Sequence, residues 1–167
     1  QKTLIENRKK IMNPNLKISV NYYDGFYNNC SHFILFFLKL FGFPKNIQNI
    51  KCKRKQKFMN ESSIDFELIY KHKIKVSFNS IIKKLKHIKF EIKFMTKDHQ
   101  IKFFYGSKKI LIKNLNKIKK IQTKINFSQK NVLDDIFANV IKKKKFPISL
   151  DDILNTEIIL DRVLKRS

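Results

Sequence analysis

Residues 64–78 read Ile-Asp-Phe-Glu-Leu-Ile-Tyr-Lys-His-Lys-Ile-Lys-Val-Ser-Phe. Ile64, Phe66, Leu68 and Tyr70 alternate with Asp65, Glu67 and Ile69. Ile74, Val76 and Phe78 then alternate with Lys75 and Ser77. A period of two is the pattern of a strand with one buried face. The break between the runs is short and basic, so the two should pair antiparallel. The same period recurs outward in both directions. Leu16, Ile18 and Val20 alternate with Lys17, Ser19 and Asn21. Ile88, Phe90, Ile92 and Phe94 alternate with Lys89, Glu91 and Lys93, and Ile101, Phe103 and Tyr105 follow. Ile47–Lys53 and Ile110–Ile112 are weaker runs of the same kind. The pattern predicts an open, mainly antiparallel sheet of about five or six strands, with one covered face.

The rest of the chain supplies helices. Phe33 to Phe41 is apolar nearly all round and predicts a buried helix starting at Ser31 or His32 and stopping at Gly42 and Pro44. A short amphipathic helix fits Leu4 to Met12. Leu133, Ile136, Phe137, Val140 and Ile141 recur at three and four, which predicts a helix over Gln129–Lys143. Ser149-Leu150-Asp151-Asp152 resembles a capping box, with Asp in place of Glu, and opens a helix to about Leu164. Lys113 to Lys124 reads as a lysine-rich connection. The expected fold class is α+β, one domain over residues 1–167, with helices covering one face of the sheet and no Rossmann domain.

Lys plus Arg is 37 against 13 Asp plus Glu, a net charge of +24. Such a balance fits a nucleic-acid or anionic-membrane partner. A plainer cause competes with it. Lys, Ile, Asn and Phe are inflated together, Trp is absent and Gly occurs three times. The inflated residues have AT-rich codons, so genome bias would spread lysine over the whole surface. No aromatic-basic motif of the RNP type is present. No apolar run approaches the ~20 residues that span a bilayer, and no secretory signal is visible. Cys30 and Cys52 have neither metal-ligand spacing nor a disulfide framework, so a reducing, cytoplasmic setting is expected.

Several chemistries are excluded by spacing. Gly25, Gly42 and Gly106 lie far apart, so no glycine-rich phosphate loop is encoded. No zinc spacing and no serine nucleophile elbow occur. The stretch from Gly25 to His32 is the one candidate site. It places a polar cluster between a strand and a greasy helix, with Asn28 and His32 four apart and hence on one side of a helical turn. Tyr23 and Tyr27 flank it, although aromatics on strands more often serve packing. His72, His87 and His99 read as solvated surface residues.

Gly25-x-x-Asn28-Asn29-Cys30-Ser31-His32-Phe33-Ile34, with Phe41-Gly42-x-Pro44 a helix later, resembles the Asp/Asn-x-Gly-x-His-x-Ile-Asp segment of the Gfo/Idh/MocA oxidoreductases. Asp65-Phe66-Glu67-Leu68 resembles a sheet strand of that family, and Phe90-Glu91-Ile92 through Ile101 its hairpin. Phe146-Pro147-Ile148-Ser149-Leu150-Asp151-Asp152 resembles the lead into its last helix. The similarity runs in order over about Ile18 to Ser167. It implies the C-terminal substrate-binding and oligomerisation domain, with NAD or NADP bound by an N-terminal Rossmann domain that this chain lacks. It also implies a sugar-like substrate, a homo-oligomer formed through the sheet, and His32 as the proton-transfer residue at the edge of a cleft. Asn28 stands where the family usually has Asp, so it orients a hydroxyl without ionising. Cys30 replaces a common Gly, and Leu35 stands where an Asp often follows the His. Tyr23 and Tyr27 line the pocket in this reading. No specific nucleic acid and no membrane are expected as partners. The alternative reading is a basic nucleic-acid-binding α+β protein; a third is a non-catalytic oligomerisation module.

Overall fold

The computed structural model describes residues 16–23, 25–54, 62–82, 91–97, 99–104, 109–114, 117–122 and 148–167. Eight strands form one sheet: β1 (Lys17–Tyr23), β2 (Asn46–Arg54), β3 (Ser63–Ile69), β4 (Lys75–Ile81), β5 (Glu91–Met95), β6 (His99–Phe104), β7 (Lys109–Asn114) and β8 (Lys117–Gln122). Their spatial order is β2-β3-β4-β1-β5-β6-β7-β8. Six of the seven pairings are antiparallel, and β1 runs parallel to β4. Two α-helices, α1 (Phe26–Phe41) and α2 (Leu150–Leu164), and a short 3-10 turn at Lys71–Lys73 complete the described elements.

The α+β class and the open sheet agree with the sequence reading; the strand count does not. Lys113–Lys124 is no simple connection, because it holds the end of β7 and all of β8. Its two isoleucines, Ile118 and Ile121, are three apart and hide the period of two. The tertiary pairing reveals it: Ile110 sits opposite Ile121, and Lys113 opposite Ile118. Lysines on such an outer strand discourage pairing with foreign strands. The expected helices over Leu4–Met12 and Gln129–Lys143 lie outside the described residues.

Alternation decides which side of the sheet is covered. Ile18, Val20, Tyr22, Ile64, Phe66, Leu68, Val76, Phe78 and Phe94 are all buried on one face. Facing them, α1 presents Phe26, Cys30, Phe33, Phe37 and Phe41, and α2 adds Ile159, Leu160 and Val163. Phe37 is the hub. Its ring meets Phe78 edge-on at 6.0 Å, Phe94 at 6.4 Å and Phe41 stacked at 6.1 Å. Truncating such a buried ring to alanine typically costs about 3–5 kcal/mol.

The opposite face is polar and knitted across strands. Asn79 donates to Ser19 at 3.0 Å and to Asn21 at 3.4 Å, and Asn21 donates to Glu91 at 3.4 Å. Glu67 collects four donors: Asn49 at 2.6 Å, Lys75 at 2.8 Å, Ser77 at 3.1 Å and Gln48 at 3.3 Å. Partial burial pushes its carboxyl up, but these donors outweigh burial and hold it below its ordinary 4.5.

Side chains also close the sheet where a ladder stops. The β3–β4 register runs from Ile69↔Lys75 to Phe66↔Phe78. Beyond it, the Tyr22 hydroxyl donates to the Ile64 carbonyl and accepts from the Ile64 N–H at 3.1 Å. Ser80 N–H donates to Asp65 Oδ1 at 2.7 Å, and Lys53 Nζ reaches both Asp65 Oδ2 at 2.7 Å and the Ser80 carbonyl at 3.1 Å. Burial pushes the Tyr22 hydroxyl far above its usual range, so it remains a protonated donor.

Two outcomes follow. Tyr22→Phe leaves both main-chain groups of Ile64 without their buried partner and should lower unfolding free energy by about 1–3 kcal/mol in urea titration. Glu67 has a depressed carboxyl, so its contribution is present above the ordinary carboxylate value and is lost as pH falls through the folded one. Glu67→Gln should therefore flatten the acid limb of the stability–pH curve while lowering stability at neutral pH.

Candidate active-site helix

Helix α1 begins at Phe26, not at Ser31 or His32 as its composition suggested. Two local features extend it backward. Gly25 adopts φ 91°, a conformation L side chains rarely take, so the chain leaves β1 and turns into the helix at once. Asn29 N–H then closes the first helical bond on the Gly25 carbonyl at 2.8 Å. Phe26 and Cys30, both fully buried, continue the stripe of Phe33, Phe37 and Phe41 through the polar stretch. The spacing of four between Phe26 and Cys30 was the available signal, masked by Asn28, Asn29 and Ser31.

The polar cluster thus occupies the first two turns of a regular helix rather than a loop before it. Asn28 and His32 are both exposed, one turn apart on the side away from the sheet. Neither side chain is spent on a hydrogen bond to another described residue. Both carry polar side-chain atoms that can donate and accept hydrogen bonds. Tyr27 is half-buried beside them, and its hydroxyl donates to Glu157 on α2. That bond to Glu157, with partial burial and the charges of Glu157 and Asp161, pushes Tyr27 up to about 12. It is therefore a neutral donor at physiological pH and no base.

Tyr23 stands apart. It ends β1, and strand alternation turns its side chain to the face opposite Tyr22. Tyr27, Asn28 and His32 share the first two turns of α1, with Tyr27 bonded to Glu157, and the Tyr23 carbonyl accepts from Asn29 Nδ2 of the same turns at 3.5 Å. Burial pushes the Cys30 thiol well above its usual range despite a hydrogen bond to Tyr22, so it is a core residue and no nucleophile. Glu157, the partner of Tyr27, was not foreseen. The two are 130 positions apart, and no local pattern couples them. The opening of α2 was foreseen: Ser149 N–H donates to Asp152 Oδ2 at 2.7 Å and Asp152 N–H donates to Ser149 Oγ at 3.2 Å.

Other site classes gain no support. Among the described residues no group of three His, Cys, Asp or Glu could hold a metal ion, and no helix is long and apolar enough to cross a membrane. The remaining described glycines build no phosphate cradle. Gly25 is closed over by Asn29, 3.1 Å from where a Cβ would stand, and Gly42 terminates α1. Exposed lysines occur on several elements: Lys17 on β1, Lys51 on β2, Lys71 and Lys73 on the β3–β4 turn, Lys97 after β5, Lys113 on β7 and Lys120 on β8, with Lys17, Lys71, Lys73, Lys97 and Lys113 toward one end of the sheet. His72 is exposed on the β3–β4 turn, as a solvated residue should be.

No protein-family profile matches the chain, and no curated protein does. Solved structures do. A dehydrogenase (MviM) from Clostridium difficile matches over 99% of this chain and 60% of its own, with TM-score 0.71 and 10% identity. A variant of KijD10, a 3-ketoreductase from Actinomadura kijaniata in complex with TDP-benzene and NADP, matches over 98% and 56%, with TM-score 0.77 and 6% identity. The WlbA dehydrogenase from Bordetella pertussis, in complex with NADH and UDP-GlcNAcA, matches over 99% and 57%, with TM-score 0.63 and 11% identity. The fold is the one that the resemblance to the Gfo/Idh/MocA oxidoreductases implied. The chain spans 56–60% of the length of these three structures.

The Tyr27–Glu157 bond is open to direct measurement. Spectrophotometric titration should show a phenol ionising near pH 12 that vanishes in Tyr27→Phe and moves back toward 10.0 in Glu157→Gln.

Proposed function

We propose that this chain is the substrate-side domain of an NAD(P)-dependent oxidoreductase acting on the hydroxyl of a sugar-like substrate. The observation that carries the reading is the exposed pair Asn28 and His32 on α1, on a fold that dehydrogenases share over nearly the whole chain. The resemblance puts the family's proton-transfer His at position 32. The ligands of the similar structures include NADH, NADP and nucleotide-linked groups, which supports a nicotinamide cofactor and a sugar or sugar-nucleotide substrate.

In this reading the nicotinamide is bound by a separate Rossmann domain, as the resemblance implies. That domain supplies the hydride acceptor; this chain supplies the proton side. With a nicotinamide bound there to take the hydride, the carbinol hydroxyl proton would pass to the His32 imidazole, leaving a carbonyl. Asn28, uncharged, holds the hydroxyl oxygen through its amide. Tyr27 lines the pocket beside them and stays neutral. A proton acceptor on an exposed helical turn needs a second surface to exclude water from it, which the cofactor domain provides on closing. The sheet face that neither described helix covers, with Ser19, Asn21, Ser77 and Asn79 at its centre, is the surface for a second copy.

The test is kinetic. With the chain joined to its nucleotide-binding domain, His32→Ala should lower turnover by about 10²–10⁴-fold. Thermal unfolding should be nearly unchanged, because His32 is exposed. Turnover unaffected by the substitution would remove His32 from the mechanism.

A further inference from the structure

Helix α2 is unlike the rest of this chain. Leu150–Leu164 carries Asp151, Asp152, Glu157 and Asp161 against Arg162, a net charge of −3 on a chain of +24. Its buried stripe is Thr156, Ile159, Leu160 and Val163. Its outward side is also apolar: Leu150 is 70% exposed, Leu154 51%, Ile153 49% and Ile158 42%. Two of the carboxylates are committed, Asp152 to Lys39 and Asp161 to Lys165. Asp151 and Glu157 have no basic partner among the described residues. The result is an apolar centre with an acidic rim, and a solvated surface of that kind marks an interaction site.

The same chain carries the complement. Ile118 on β8 is 66% exposed, on the outermost strand of the sheet. Its cross-strand neighbour is Lys113, and Lys120 lies two positions along β8; both lysines are exposed. That is an apolar centre with a basic rim. Pairing α2 with α2 of another copy would set like charges against each other. Pairing α2 with β7–β8 of another copy sets opposite charges around two apolar centres.

We propose that α2 of one copy docks on the β7–β8 edge of a second copy, head to tail. The contact uses neither the polar face of the central strands nor Asn28 and His32. Because the two surfaces differ, it does not close on itself in a pair. It builds a ring if the rotation closes and a longer chain if it does not.

Complementary variants test it. Leu154→Lys disables α2 and keeps β8; Ile118→Lys disables β8 and keeps α2. Both positions are exposed, so circular dichroism and melting should match the parent chain. Leu150→Lys replaces Leu154→Lys should the latter unfold. Fluorescently labelled Leu154→Lys chain is titrated by anisotropy with unlabelled Ile118→Lys chain, and each variant is titrated with itself. The mixed pair should bind at least tenfold more tightly than either self-mixture, because one intact contact can form only in the mixture. That advantage should shrink as salt rises from about 0.05 to 0.5 M, since the rims are screened. Equal binding in all three titrations, which association through the sheet face alone would give, overturns the proposal. So does no binding in any, which would reserve the α2 surface for another polypeptide.

Discussion

The central described strands are tied together by the contact between the aromatic stripe of α1 and their inner face. Phe26 meets Phe66 edge-on at 5.6 Å, Phe37 meets Phe78 and Phe94, and Phe41 meets Tyr70 at 5.3 Å. Those partners sit on β3, β4, β5 and the end of β3, so a single helix ties the strands on both sides of β1. Phe66 and Phe78, stacked at 4.4 Å, lock β3 to β4 beneath it. Rings of this size remove large apolar areas from water, and their edge-to-face geometry adds directionality.

That packing has a consequence for the site. Because the stripe reaches back to Phe26, the helix must begin immediately after β1, and only the turn at Gly25 makes room for it. Asn28 and His32 are thereby fixed on a rigid turn with their side chains outward, rather than left on a loop. A rigid helical support is what a proton-transfer group needs for repeatable geometry. The inner anchors of the same turns, Phe26 and Cys30, have no chemistry of their own. They hold the outward residues still.

The polar side of the sheet follows a different logic. On a chain so rich in lysine, the central open face carries Ser19, Asn21, Ser77 and Asn79, with Glu67 and Glu91 to either side. Each carboxylate is held by short-range donors. Networks of this kind fix strand register because a slip would strand several partners at once. The β3–β4 gap is handled in the same way, by Tyr22 on one side and by Asp65 with Lys53 on the other.

The sequence by itself determined the α+β class, seven of the eight strands (five clearly and two as weaker runs), the burial of Phe33–Phe41, the capping box at Ser149 and the pairing of Asn28 with His32 on one helical side. These are local properties, set by side-chain period and by hydrogen bonds within a few residues. Only the tertiary structure decided that β1 lies beside β4 in parallel, that β8 exists, that α1 starts at Phe26 and that Tyr27 is tied to Glu157. Each of those depends on groups far apart in the chain. Ile118 gains strand geometry only from its rung with Lys113, Cys30 joins the core only because Phe26 and the sheet enclose it, and Tyr23 is turned from His32 by the pleat of β1. The pairing of strands that are distant in the chain and the packing of helix on sheet carry no trace in local spacing, so the fold had to be assembled before they could be read.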